Sequence, residues 1–569
     1  MPIDTRTSSD PWWKAAVVYQ VYPRSFADSD GDGIGDVPGI SDHLEHLSDL
    51  GVDVVWLSPV YRSPQDDNGY DISDYHDIDP TFGTLADVDH LIDRVHRHGM
   101  RLVMDLVVNH TSDEHAWFEE SRRDRTNPKA DWYIWRDPRP GAMPGSEDAA
   151  PNNWGSFFSG PAWQWCPERE QYYLHLFSRK QPDLNWESPE VRAAVHEMMR
   201  WWLDRGVDGF RMDVINLISK DPGLPDGELL PTGYGDGMPH FSYGPRVHEY
   251  LAEVKREVFD SRPGTFLTVG EMPGVTTDQA LRFTDRETGE LDMVFQFEHV
   301  DLDHGRTKWD HHPLALVDLK RSLGRWQTAL GERGWNSLYW NNHDQPRIVS
   351  RYGDDGACWR ESATALATVL HLHRGTPYVY QGEEIGMTNV PFASIDDFRD
   401  IESVNHFHEA VALGADPEDV LVSLRRTSRD NARTPMQWTS GEHAGFTTGT
   451  PWLQVNPNHT WLNVEAQRDD PESVMAHYRR LIALRHQEPV VVDGDFTMLL
   501  PDHPAVYAFE RTLGDDRLAV YANLSGEAVD GVLPEQAHGW ELLLGNLPSA
   551  DDSPGAPLRP WEARVYRVS

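Results

Sequence analysis

Eight short β-branched runs, separated through most of the chain by amphipathic helical stretches, predict an α/β fold of the (β/α)8 TIM-barrel class. Two departures from that rhythm complete the prediction. An irregular insertion follows the third strand, and a final segment of short alternating runs reads as a C-terminal antiparallel β-sandwich.

The predicted strands are 17–22, 52–57, 101–107, 209–213, 266–271, 293–297, 337–342 and 376–381. Helical periodicity falls between them at 40–50, 85–98, 189–205, 247–259 and 361–373. The stretch 111–181 is rich in Trp, Asn, Pro and Gly, and a long irregular excursion there makes a natural wall for a substrate cleft. The expected units are therefore a barrel in two parts, 1–110 and 182–490, an inserted subdomain over 111–181, and a β-sandwich domain over 491–569. Chemistry in such a barrel sits at the C-terminal ends of the strands.

Composition narrows the function. The 569 residues are enough for a large core, and a mean hydropathy of -0.59 fits a soluble globular protein. A formal charge of -41 argues against nucleic acid as a partner, because phosphate binding needs clustered Lys and Arg. No apolar run approaches the roughly 20 residues that span a bilayer, and Met1 to Asp10 lacks the apolar core of a secretory signal, so no membrane partner and a cytoplasmic location are expected. Two cysteines, Cys166 and Cys358, exclude a disulfide framework. The 22 Trp and 19 Tyr suit sugar rings, although large cores use the same residues.

Four predicted strands end in ionisable or amide groups: Asp105 to His110, Arg211-Met212-Asp213, Val269-Gly270-Glu271 and Asn341-Asn342-His343-Asp344. Arg211 and Asp213, two apart in a strand, share a face, and a neighbouring guanidinium favours an ionised carboxylate. That suits a nucleophile, and it suits a structural ion pair equally well. Two carboxylates flanking a scissile bond, one ionised and one protonated, are the minimum for glycoside hydrolysis.

In this order and spacing the segments resemble the α-amylase superfamily of glycoside hydrolases over nearly the whole chain. Gln181 to Trp186, Gln381 to Gly386 and Arg429 to Pro435 narrow the resemblance to the oligo-1,6-glucosidase and α-glucosidase group. The resemblance implies that Asp213 is the nucleophile, Glu271 the acid/base and Asp344 the third carboxylate, which binds sugar hydroxyls. It further implies that Arg211 orients Asp213, that His110 and His343 bind ring hydroxyls, and that Phe158 and Phe177 line the first subsite. Asp67, Tyr70 and Arg429 would close the pocket beyond the first sugar, with Arg433 as the alternative pocket arginine. A closed pocket implies exo-action on a small oligosaccharide. In this group Val after the nucleophile, here Val214, accompanies α-1,6 cleavage, and Ala or Thr accompanies α-1,4 cleavage.

Asp28 to Asp36 carries oxygen donors at alternate positions around glycines, the pattern of a calcium loop without the final Glu of an EF-hand. The resemblance assigns it a structural Ca2+ or Mg2+ held by Asp28, Asp30, Asp32, Asp36 and the Ile34 carbonyl, with no organic cofactor. The expected activity is a retaining exo-α-glucosidase preferring α-1,6 linkages, with transglycosylation as a side reaction, in a monomer or small homo-oligomer. An α-1,4-preferring glucosidase and a glucosyl-transferring isomerase, of the trehalose synthase or sucrose isomerase type, are the alternatives. The Arg-Leu-Asp-Arg-Asp loop of such isomerases is absent from the corresponding Phe297 to Gly305. A non-catalytic transporter-associated scaffold is disfavoured because all three carboxylates are present.

Overall fold

The computed structural model describes residues 11–548 and 556–568. Residues 1–10, where no secretory signal was expected, lie outside them. The barrel strands are β1 (Val18–Val21), β2 (Val54–Leu57), β3 (Arg101–Val107), β4 (Gly209–Asp213), β5 (Leu267–Glu271), β6 (Met293–Phe295), β7 (Ser337–Tyr339) and β8 (Thr376–Tyr380). They pair in parallel in the order β6-β5-β4-β3-β2-β1-β8-β7. A parallel bridge between Val294 and Asn336 brings the two ends of that order together into a barrel.

Nearly every residue of these strands is buried, because inward side chains fill the barrel and outward ones meet helices. Val18, Val54, Val103, Val269, Met293 and Tyr378 join one interior cluster. Two residues further along, Gln20, Trp56, Asp105 and Glu271 face the same interior at the strand C-termini. The period of a strand thus carries an apolar plug at one level and a polar layer at the next.

The helices begin where sequence chemistry starts them. Thr84 and Asp87 form a reciprocal capping box at Leu85–Arg97, and Ser188 caps Pro189–Asp204 with proline in its first turn. Two predicted helices differ in detail. The 40–50 stretch is two helices, Val37–Asp42 and Leu44–Leu50, that meet at His43. The 247–259 stretch is α-helical over Val247–Val254 and then widens into a π-turn over Lys255–Phe259.

The insertion is less irregular than its composition implies, since Trp135–Arg136, Gln171–Leu174 and Trp163–Cys166 form a small antiparallel sheet. A helical hairpin, Ile401–Ala412 and Pro417–Thr427, follows β8. Beyond the barrel, β9 (Asp495–Leu499), β10 (Val506–Leu513), β11 (Asp516–Asn523), β12 (Glu541–Gly545) and β13 (Ala563–Arg567) form one antiparallel sheet in the order β9-β10-β11-β13-β12. Its alternation is two-sided. Tyr507, Phe509, Val520 and Val565 join the barrel core, while Val506, Ala508, Ala519 and Tyr521 pack under the layer that contains Val529, Trp540 and Leu558. The change of pattern expected at Val491 falls inside a short helix, Pro489–Asp493, that precedes the first strand of this sheet.

Candidate active site

Arg211 stands at the centre of the polar layer, 1% exposed. Its Nη1 donates to Asp105 Oδ1 and Asp213 Oδ1, both at 2.7 Å, and its Nη2 lies 2.8 Å from Glu271 Oε2. Asp105 accepts two further bonds, from Trp56 Nε1 at 3.1 Å and the Tyr70 hydroxyl at 3.0 Å. The strand register explains the meeting, since β3 pairs with β4 and β4 with β5. The chain then turns sharply. Val214 takes φ 34° and ψ 42°, a strained left-handed conformation for a β-branched residue. The turn aims the Val214 N–H at Glu271 Oε2, 3.0 Å away.

A lone Arg211–Asp213 pair would lower the pKa of Asp213, and the structure corrects that expectation. Burial pushes the Asp213 carboxyl well above its ordinary value, opposed by Arg211 and reinforced by Glu271 and Asp105. After burial, the cause is that one guanidinium is shared among three carboxylates. Asp105 is likewise pushed up, to about 6, by burial before all else.

A second charged cluster joins Asp67, Asp344, Asp400, Arg429 and Arg433. Arg429 Nη2 donates to Asp67 Oδ1 at 3.1 Å and Asp400 Oδ1 at 2.5 Å, and its Nη1 reaches Asp344 Oδ1 at 3.4 Å. Arg433 Nη2 donates to the same Asp344 oxygen at 2.7 Å. The two arginines, four residues apart, both use one face of the short helix Asp430–Arg433. Burial would raise the Asp344 carboxyl, but His343, Arg429 and Arg433 together hold it well below the carboxylate range. Asp67, shielded by burial and only partly compensated by Arg429, is pushed up to about 6.

His343 stacks on Tyr70 with ring centroids 5.0 Å apart, and burial pushes it down to about 3. His110 is pushed down to about 4 for the same reason, so both imidazoles are neutral at pH 7. Its Nε2 lies 3.1 Å from the Tyr70 carbonyl, and its ring lies 5.1 Å from that of Phe177. Phe158 packs on Phe177 and under the Arg429 guanidinium.

A cavity of about 240 Å3 opens between these groups. Asp67, Tyr70, His110, Phe158, Phe177, Asp213, Glu271, Asp344 and Arg429 line it, whereas Arg211 and His343 stand behind its wall. Of the two candidate arginines, Arg429 lines the cavity, and Arg433, outside the lining, pairs with Asp344.

A family model for the α-amylase catalytic domain matches residues 20–494. The chain belongs to the α-amylase family. It is a glycoside hydrolase, 55% identical to the oligo-1,6-glucosidase of Parageobacillus thermoglucosidasius over 98% of this chain and 99% of that one. Among solved structures, Bacillus licheniformis trehalose-6-phosphate hydrolase superposes with a TM-score of 0.91 at 45% identity, covering 98% of this chain and all of the other. The trehalulose synthase of Pseudomonas mesoacidophila MX-45 gives 0.92 at 43% identity with the same coverage.

Several groups of this glycosidase site were not singled out in the sequence. Asp400 is fully buried against Arg429, and Gln181 Nε2 donates to Asp67 Oδ2 at 3.1 Å. Phe297, Asp301, Lys308 and Glu402 line the cavity from the segments after β6 and β8. Asp105 was visible as a strand end. Asp400 and Glu402 gave no local signal, since an acidic residue at a helix start reads as a cap, and Asp400 does cap Ile401–Ala412.

At the loop after β1, carboxylate oxygens of Asp28, Asp30 and Asp36 lie within 4.8 Å of one another, close enough to hold a divalent cation. Asp28 accepts N–H bonds from Gly31 at 2.7 Å and Gly33 at 2.8 Å, and it also accepts from the Thr447 hydroxyl. A Cβ on Gly33, at φ 96°, would meet the Thr450 carbonyl at 1.9 Å, so glycine is required there. Asp32 is outside the convergent set and accepts the Ile34 N–H instead, at 2.8 Å. Among the described residues no helix is long and apolar enough to cross a membrane.

Proposed function

We propose that this protein is a retaining exo-α-glucosidase that releases glucose from the non-reducing ends of short α-glucosides. The observation carrying the reading is that Asp213 and Glu271 share one guanidinium at the wall of a cavity into which the Asp67–Arg429 ion pair also faces. Asp213 attacks the anomeric carbon as the glycosidic C–O bond breaks, and Glu271 gives its proton to the departing oxygen. Glu271 then takes a proton from water, whose oxygen displaces Asp213. Two inversions retain the α configuration. Three carboxylates against one guanidinium favour keeping one proton in the cluster, and the first step requires that proton on Glu271 with Asp213 ionised beside Arg211. Asp344, held ionised, supports the positive charge that develops on the ring.

Val214, 8% exposed beside the nucleophile, and the relationship to oligo-1,6-glucosidases support α-1,6 bonds as the preferred linkage. Cleavage of α-1,4 bonds, or transfer of the glucosyl group to a held sugar, is the second reading. Overlap with a trehalulose synthase as close as that with a hydrolase favours it. The loop at Asp28, Asp30 and Asp36 is proposed to hold Ca2+ or Mg2+ in support of the fold. Product analysis on isomaltose, maltose, sucrose and trehalose, with NMR of the first anomer released, tests the reaction and its linkage preference. Free α-glucose supports hydrolysis with retention. β-Glucose overturns the retaining mechanism, and a single isomerised disaccharide with little glucose replaces hydrolysis by transfer.

A further inference from the structure

The charged groups that line the cavity differ in exposure, and Asp344 is 25% exposed. Asp67 and Arg429 side chains are 5% and 8% exposed, whereas Glu402, Lys308 and Asp301 reach 15%, 27% and 54%. In the glucosidase reading, whatever follows the first sugar of a substrate passes the exposed Lys308 and Asp301 and the Glu402 paired with Lys308. Around the whole cavity stand six carboxylates, Asp67, Asp213, Glu271, Asp301, Asp344 and Glu402, against two strong cations.

Both cations are committed. Arg429 serves Asp67, Asp344 and Asp400. Lys308 Nζ donates to Glu402 Oε2 at 2.5 Å and lies 4.6 Å over the Trp309 ring. Glu402 is held in turn, with its Oε2 3.5 Å from Arg429 Nε. One turn further along the same helix, Asn405 Nδ2 donates to the Phe158 carbonyl at 3.0 Å, which ties the helix to the insertion on the other side of the cavity. An anionic group on the departing half of a substrate would meet Asp301 and would have to separate Lys308 from Glu402.

We infer that the mouth selects uncharged leaving groups over phosphorylated ones, and that Glu402 is the specificity-determining residue because it keeps Lys308 from serving as a phosphate site. The inference rests on the glucosidase reading and names its substrate class. It also distinguishes this chain from the trehalose-6-phosphate hydrolase that it overlaps in fold.

The test compares phenyl α-glucoside with its 4-phosphono derivative, using p-nitrophenyl α-glucoside to establish that α-glucosidase activity is present. The parent enzyme should discriminate against the phosphono substrate by about 30-fold or more in kcat/KM, the scale of one misplaced charge pair near a protein surface. Glu402→Gln should shrink that ratio by about tenfold through release of Lys308, and Lys308→Ala should widen it. The opposed signs separate a charge effect from general damage to the mouth. Equal rates of the parent on both substrates, or an unchanged ratio in both variants, would overturn the inference. Failure of the parent on p-nitrophenyl α-glucoside would instead strike the glucosidase reading itself.

Discussion

Around Arg211 the carboxylates of Asp105, Asp213 and Glu271 are buried against a guanidinium, whereas Asp28, Asp30 and Asp36 gather in a partly exposed loop and take backbone N–H groups. The first cluster carries its compensating charge as part of the chain, in fixed geometry. The second is compensated by amide dipoles and leaves its convergent oxygens to a cation. Buried acids tied to a permanent cation are poised for chemistry, and acids of a partly exposed loop are poised for reversible binding. The comparison predicts that damage to the first removes activity, with or without a loss of stability, and that damage to the second removes stability alone.

The largest effect is expected from Asp213→Asn. Turnover of an aryl α-glucoside should fall by about 10^4-fold, with the melting temperature held or raised because a buried carboxylate is gone. Steady-state kinetics beside a thermal melt check this, and activity within tenfold of the parent would end the nucleophile assignment. Next comes Arg211→Met, which leaves three buried carboxylates without their cation and should cost about 3–5 kcal/mol in denaturant unfolding. A change smaller than that would mean water reaches the cluster.

Chelation probes the other side. If the loop holds a divalent cation, removing it with EDTA should cost about 2.7 kcal/mol where the ion had been at a hundred times its Kd. Initial rates of the still-folded enzyme should stay the same. Loss of activity before any loss of structure would contradict the division between the two clusters.

The clusters should also answer pH with opposite signs. Asp105 is pushed up to about 6, chiefly by burial, so its contribution to stability is full below the unfolded pKa near 3.8 and is lost as pH rises toward 6. The stability of the parent relative to Asp105→Asn should therefore decline across that window. Burial opposes but does not prevent a lowered Asp28, held down by Thr447 and by the N–H groups of Gly31, Gly33 and Asp30. Its contribution is present above about 3.8 and is lost as pH falls, so the parent should lose its margin over Asp28→Asn in acid. Melts of the three proteins from pH 3 to 7 decide it, and slopes of one sign would dissolve the contrast. The smallest effect belongs to Val214→Ala, which should shift the isomaltose-to-maltose ratio of kcat/KM by about tenfold toward maltose. An unmoved ratio would remove Val214 from linkage selection.

Much of this was legible because strands write their faces into the sequence with period two. Val103 and Asp105, Arg211 and Asp213, and Val269 and Glu271 are each two apart, so an interior position at one level implies an interior position at the next. The glycine-spaced aspartates were legible for a similar reason, since a tight loop needs its glycines near its donors. Asp400, Glu402 and Lys308 were not legible, because each looks locally like a cap or a solvated charge and matters only through a partner far along the chain. The direction of the Asp213 shift was not legible either, because its burial, and the sharing of Arg211 with Asp105 and Glu271, arise only in the folded chain.

By itself the sequence determined the barrel and the levels at which its strands turn polar, because these follow from short-range periodicity, while the roles of the acids at those levels were implied by the resemblance to the α-amylase superfamily. Only the tertiary structure decided how charge is shared: one guanidinium among three carboxylates, two arginines on Asp344, and a lysine withheld by Glu402. Coulombic energy depends on distance in space and on burial, and neither can be read from separation along a chain.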